Sequence, residues 1–315
     1  MAWVTWRQHR SQLLAAAGFV LLAAVAAFIS DFPIRAAYHR QALASCLPSP
    51  TRLGCDLILN HFRGEFATST GAVRWLAVVP ALGGVFIGAP LLAREYEHGT
   101  FRLAWTQGIS RSRWLLSKTA LLAGAVVLGA TVLSLVVMWW RGPFDTIDGR
   151  IVPSVFDVEG LVVPAYAFFA VAVGVLAGVV LRRTIPAMTV AAATFIAVRV
   201  GVELGLRPHF AAPLHRVAGG LTPADRALNW VLDNHLVDAL GRRITAGRED
   251  LAVAHAQHGG IDPQSYIVSL GWHRLVTYQP PSRFWSFQLI EFGIFSCLGV
   301  VAIALAVYLV RREPA

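Results

Sequence analysis

The residues able to do chemistry in this chain are few, and several of them sit where charge is expensive. Arg199 and Glu203 stand four apart inside one long apolar run, and Glu291 lies inside another. Four-residue spacing puts the first two on one helical face, where they can pair. Glu291 falls about seven residues into its run, about 10 Å deep at 1.5 Å per residue and near the depth of Arg199. A charge in hydrocarbon costs several kcal/mol, so these three must either lock to one another or form a site. A cross-helix Arg199–Glu291 pair is the simplest lock, with Glu203 as the competing partner. A substrate or proton site is the alternative.

Other chemistries fail on the residues. Lys118 is the only lysine and follows Ser117, so no G-x-x-x-x-G-K-[ST] loop is present to cradle phosphates, and this chain cannot itself be an ATPase. The ten histidines (9, 39, 61, 98, 209, 215, 235, 255, 258, 273) fall outside the apolar runs, which removes the base of an intramembrane serine hydrolase. There is no H-E-x-x-H. His255 and His258 are three apart but lack an obvious third ligand, and solvated loop histidines are the better reading. No catalytic, cofactor-binding or metal residue is expected. Cys46 and Cys55 bracket Pro48, Pro50 and Gly54, which turn the chain back. A disulfide fits if this loop is external and oxidised; two free thiols are the alternative. Cys297, inside the last run, reads as a packed small hydrophobe.

The elements that must hold these residues are membrane helices. Of 315 residues 56% are hydrophobic and 14% charged, with mean hydropathy +0.58, too little polar surface for a soluble globule. Apolar runs at 13–30, 73–92, 114–138, 161–181, 185–204 and 284–310 are each long enough to cross about 30 Å of hydrocarbon. The expected fold is an all-α integral membrane protein of six transmembrane helices, one membrane domain over 1–315. The first run exceeds the about 7–15 apolar residues of a signal peptide and lacks a small-x-small cleavage site, so it reads as a retained span. Trp3, Trp6, Arg7 and Arg10 before it suit an interfacial segment.

Short basic connections mark the cytoplasmic side: Arg7 and Arg10; Arg94, Arg102, Arg111, Arg113 and Lys118; Arg182 and Arg183; Arg311 and Arg312. Both termini are therefore expected in the cytoplasm and the protein in the plasma membrane. The net charge of +9 is a topology signal, and nucleic acid is not an expected partner. The third-to-fourth connection, with Asp145, Asp148, Asp157 and Glu159 against Arg141 and Arg150, suits the outer face. Two external regions remain, 31–72 and 205–283. The second contains a helix-like stretch near Thr222–Ile244, with Thr222, Pro223 and Asp225 as its start.

Within the cytoplasmic loop 93–113, Gly99 and Gly108 frame Thr100–Gln107. Thr100 can cap a short helix whose Phe101, Ala104 and Trp105 share one face, and Ser110 can cap the helix that follows. A helix this short does not stand alone in water, so it needs the membrane or a partner's groove. In the second run, Pro80 and Pro90 enclose Gly84-x-x-x-Gly88. That pattern suits either a moving helix interface or close packing in an inert bundle.

The run Glu95-x-Glu97-His-Gly-Thr100 with Leu103, Gln107, Ser110, Arg111 and Lys118 resembles the E-x-G-T...S-R...K signature between spans two and three of ABC-2-type exporter permeases. Trp3–Arg10, Gly88–Glu95 and Tyr278–Glu291 resemble the actinobacterial branch of that family. The resemblance implies the transmembrane subunit of an ABC exporter, pairing as a homodimer or heterodimer in membrane lipid. A soluble ABC ATPase would dock on the coupling helix at 97–107 and would carry the ATP and Mg, with no cofactor on this chain. It implies docking roles for Glu95, Glu97, Gly99, Thr100, Phe101, Ala104, Trp105 and Gly108. It also implies a translocation path along Pro80, Gly84 and Gly88 and beside Arg199. Residues 205–283 are much longer than the outer hairpin of typical members. Other classes compatible with the residues are an ion-coupled secondary transporter relaying through Arg199, Glu203 and Glu291, and a ligand-sensing membrane scaffold.

Overall fold

The computed structural model describes residues 2–41, 43–46, 55–99, 110–217 and 227–312. It is a mostly helical integral membrane fold, 80% helical, with six helices long and apolar enough to cross a membrane. In chain order, α1 is Ala2–Arg40, α2 Leu43–Cys46, α3 Cys55–Glu65 and α4 Ala67–Arg74. A 3₁₀ turn Trp75–Val78 leads to α5 Val79–Gly83, a π turn Gly84–Gly88 and α6 Ala89–Glu97. The long helix α7 is Arg111–Asp148, followed by α8 Pro153–Phe156, α9 Val162–Leu181 and α10 Thr184–Gly201, which runs on through a π turn Val202–Leu206. Then come β1 Leu214–Val217, β2 Trp230–Val237, α11 Ala246–His258, α12 Pro263–Ser269, β3 His273–Gln279 and α13 Phe284–Arg312.

The helix α9 is the axis of the bundle. In its apolar window 83% of residues are buried, against 6% in that of the first span, which turns Leu14, Leu21 and Leu22 outward. The sequence explains the difference: α9 is apolar all round and carries Gly174 and Gly178, so neighbours can close on it from every side. A Cβ on Gly84 would come within 2.4 Å of the Ala170 carbonyl oxygen, and one on Gly174 within 2.5 Å of that of Gly84. Here two backbones meet with no room for a side chain.

Prolines inside the spans free carbonyls that α1 satisfies. Pro90 has no N–H for Phe86 four residues back, and Gln12 Nε2 donates to the Phe86 carbonyl at 3.4 Å. Pro143 likewise frees Trp139, whose carbonyl accepts from Arg35 Nη2 at 3.3 Å. Distant side chains thus take up bonds that the helices cannot make internally.

The region expected as a loop at 31–72 is largely helical. α1 continues to Arg40 because Ile34 and Ala37 bury against Leu59 and Phe62 of α3. The expected helix over Thr222–Ile244 is corrected. Residues 218–226, including Thr222, lie outside the described residues, and Trp230–Val237 is a strand. It pairs antiparallel with β3, which also pairs with β1, in the order β1-β3-β2, with Asn234 opposite Val276 and His215 opposite Thr277. Val231, Leu236 and Val237 favour a half-buried pleat, and only the distant β3 supplies the partner. Beneath this sheet, Leu236, Ile244, Ala252, Ile267 and Trp272 form a separate small core.

Candidate functional site

Two polar constructions stand at opposite ends of α7, whose 38 residues span about 57 Å at 1.5 Å each. At the Arg111 end, α6 runs out through Glu95, Tyr96 and Glu97. Glu95 forms a salt bridge with Lys118 of α7, and both side chains are largely buried. The ammonium also lies 5.1 Å from the ring centre of Trp114, itself 1% exposed. Glu97 accepts a hydrogen bond from the Thr184 hydroxyl at the start of α10. The two-residue link between α9 and α10 is closed by Arg182 in a left-handed conformation, φ 54°, with its guanidinium 5.3 Å from the Tyr96 ring centre. The end of α6 is therefore tied to α7 on one side and to α10 on the other.

Gly99 leaves α6 at φ 67°, a conformation that a residue with Cβ adopts only with strain. The expected docking residues Thr100, Phe101, Ala104, Trp105 and Gly108 lie outside the described residues. Ser110 occupies the N-cap position of α7, but its side chain makes no capping bond. Sequence reasoning placed Lys118 and Glu95 in one motif without pairing them. The signal was available in the single lysine of the chain, buried twenty-three residues from a carboxylate.

At the Asp148 end the charges lie in two balanced groups. Arg199 Nη2 is 2.7 Å from Asp157 Oδ2, and Arg207 Nη2 is 2.7 Å from Asp157 Oδ1. Arg207 also donates from Nε and Nη2 to both oxygens of Glu291, each at 2.7 Å. The Tyr166 hydroxyl donates to Glu291 Oε1 at 2.5 Å, and the Arg199 guanidinium sits 4.3 Å from the Tyr166 ring centre. In the second group, Arg141 and Arg150 approach Glu159 at 2.7 and 2.9 Å and Asp145 at 3.3 Å each. Gln288 connects the helices around both groups: its oxygen accepts from Val162 N–H, and its amide donates to the carbonyls of Phe156 and Glu159.

The expected Arg199–Glu291 pair is corrected by this geometry. Both residues are buried at one level, but Arg199 takes Asp157 and Glu291 takes Arg207. Glu203 forms no ion pair among the described residues and is half-buried. The partners escaped sequence reading for physical reasons. Asp157 lies in a connection between spans, and Arg207 lies three residues past the end of the apolar run. The i, i+4, i+8 spacing of Arg199, Glu203 and Arg207 was the available signal. The charges of the third-to-fourth connection, expected on the outer side, are substantially interior to the bundle, with Glu159 fully buried.

A cavity of about 950 Å³ opens between α1, α7 and residues 79–90, lined almost wholly by apolar groups, with Gln12 and Arg94 at its polar end. Of the residues expected to line a path, Pro80 borders this cavity. Gly84 and Gly88 do not: they are sealed in the seam with α9, where a Cβ on Gly88 would come within 2.7 Å of the Val171 carbonyl oxygen. Small residues draw helices together, and that closeness removes the space a path needs. Cys46 and Cys55 are disulfide-bonded, joining α2 to α3. Cys297 lies on the exposed face of α13, not packed as expected. His255 lies beside Tyr266, His258 Nδ1 lies 2.7 Å from the Ala254 carbonyl oxygen, and among the described residues no three metal-ligating side chains are grouped.

A family model described as ABC-2 membrane transporter related matches residues 16–207, more than half of the chain. No curated protein and no solved structure matches.

Proposed function

From the chain's membership of the ABC-2 membrane transporter related family, which makes it a multi-pass permease subunit of an ABC transporter, we propose an exporter driven by a separate ATPase. In this reading the ATPase binds ATP and Mg²⁺ and docks on the coupling helix at 97–107. The connection 93–113 and both termini face the cytoplasm of the plasma membrane. The permease pairs with a second copy or a related chain, and Phe101, Ala104 and Trp105 present the apolar face that the ATPase covers.

The observation that best supports the reading is the anchorage of the docking segment. Glu95 is held by buried Lys118 on α7 and Glu97 by Thr184 on α10, so a push on the segment reaches two spans through short, charge-assisted contacts. A loop without a mechanical duty has no use for a buried ion pair at its root, since such a pair adds little net stability. The π turn at Gly84–Gly88 lies one helix away and gives the second span a place to bend.

Co-purification tests this. The parent chain is expected to retain a soluble P-loop ATPase, and Phe101→Asp or Trp105→Asp to lose it while the permease still elutes as a folded species. Equal recovery of the ATPase with parent and variants would sink the docking assignment.

A further inference from the structure

The family assignment says nothing of a second cavity, of about 660 Å³, at the Asp148 end of α7. It lies where α3 and α4, the top of α7, the Val152–Val155 segment and the start of β2 meet. One wall is cationic, with Arg63, Arg74 and Arg141 against the single carboxylate of Asp148. The other is apolar, formed by Phe144, Val152, Val155, Trp230 and Val231.

The three guanidinium groups differ in what already holds them. Arg63 is committed to Asp148, with Nε 2.6 Å from Oδ1 and Nη2 donating to the Ile147 carbonyl. Arg141 is 4% exposed and its charge is balanced behind the wall by Glu159 and Asp145. Its Nη2 has almost no accessible surface, so the cavity does not offer that donor to a ligand. Arg74 is exposed and makes no ion pair among the described residues. The cavity thus presents one uncompensated positive charge, that of Arg74, beside a hydrophobic wall with an indole.

We propose that this cavity binds an amphiphilic anion, with a phosphate or carboxylate head at Arg74 and a hydrocarbon body against Phe144 and Trp230. The head supplies the counter-charge that Arg74 lacks, and a planar guanidinium matches such heads in geometry. The volume lies within the about 300–1,000 Å³ of small-molecule sites, and the mixture of an apolar wall with a few polar groups is typical of them. A lipid headgroup and a free amphiphile share this chemistry. Binding here requires neither the ATPase nor the direction of transport, so it stands apart from the exporter reading.

The test is calorimetric titration of the purified full chain in maltoside micelles with octyl phosphate, kept below its own micelle concentration. Saturable binding at one site per chain is expected, weakened tenfold or more by Arg74→Gln and several-fold by Trp230→Ala. Arg242→Gln, on the distant sheet region, is expected to bind as the parent does. Elution of Arg74→Gln as the parent species checks its fold, which the exposed position favours. Unsaturable binding, or equal affinity in parent and Arg74→Gln, would overturn the site. Inorganic phosphate binding as tightly as octyl phosphate would overturn the apolar half. Repeating the titration in phosphatidylcholine nanodiscs with and without phosphatidylglycerol assigns the source: blockade by phosphatidylglycerol supports a lipid head, and undiminished binding supports a free amphiphile.

Discussion

The two ends of α7 handle buried charge in opposite ways. At the Arg111 end the Glu95–Lys118 ion pair and a hydrogen bond from Thr184 are among the contacts that hold a segment that leaves the bundle at Gly99. At the Asp148 end four arginines meet four carboxylates, Gln288 ties their connecting segments to α13, and the Cys46–Cys55 bridge closes the neighbouring helices. The contrast teaches that a buried charge in a membrane bundle does not announce its role. Where partners are redundant and cross-linked, loss of one leaves others uncompensated and the construction acts as a lock. Where, as for Glu95 and Lys118, a charge has a single ion-pair partner among the described residues, the pair is a joint.

The largest expected effect in breaking this contrast comes from Arg207→Leu. That guanidinium serves both Asp157 and Glu291, and removing one partner of a buried pair costs about 3–5 kcal/mol. Thermal unfolding in detergent is expected to move down by many degrees, and an unchanged midpoint would refute the lock. The same assay sharpens the pairing through double-mutant cycles. Arg199→Leu is expected to couple to Asp157→Leu by about 0.5–3 kcal/mol and to Glu203→Leu by much less. Stronger coupling to Glu203 would restore the same-helix pair.

A smaller effect of the same kind is expected from reducing the disulfide. Opening a bridge between residues nine apart costs about 2–3 kcal/mol by chain entropy, so Cys46→Ser is expected to unfold earlier than the parent only under non-reducing conditions. Equal midpoints would remove the bridge from the lock. The α9 seam, common to both ends, is sharpened by Gly174→Ala. The added methyl meets the Gly84 carbonyl, and overpacking of about 1–3 kcal/mol is expected, against no measurable change for Gly124→Ala, which meets nothing.

The smallest effect lies in the sheet region. The Asp238 carboxylate accepts the backbone N–H groups of Arg242 and Leu240 and the Arg242 guanidinium, the Arg242 backbone bond lowering its pKa most from the usual 3.8. A folded pKa below the unfolded one gives a contribution that is full above about pH 4 and lost as pH falls through the lower folded value. The protection of the Leu240 and Arg242 amides, measured against their intrinsic exchange rates, is therefore expected to fall in acid in the parent and to show no such step in Asp238→Asn. A step of equal size in both would contradict the assignment.

How much of this was legible in the sequence follows from the range of each interaction. The six spans need only local hydropathy, and they were read to within a turn or two at most ends; α1 ran further because α3, twenty residues on, covers it. Arg199 and Glu291 were recognisable as buried charges because lipid makes any charge conspicuous. Their partners were not, since Asp157 comes from a connection and Arg207 from beyond the apolar run. The β1-β3-β2 sheet was missed because pairing Asn234 with Val276 is a non-local choice, whereas a helical pattern can be read from neighbours alone. Gly84 and Gly88 were correctly read as permitting close approach, but closeness placed them in a seam, leaving Pro80 at the cavity.

The central claim, that the docking end is a joint and the Asp148 end a lock, is tested most directly by ATPase recovered per folded permease from the same membranes for Trp105→Asp and for Gln288→Ala. The account predicts that Trp105→Asp loses the ATPase at an unchanged unfolding midpoint, while Gln288→Ala lowers the midpoint and keeps parental recovery. Loss of the ATPase by Gln288→Ala at an unchanged midpoint, with full recovery by Trp105→Asp, would contradict it.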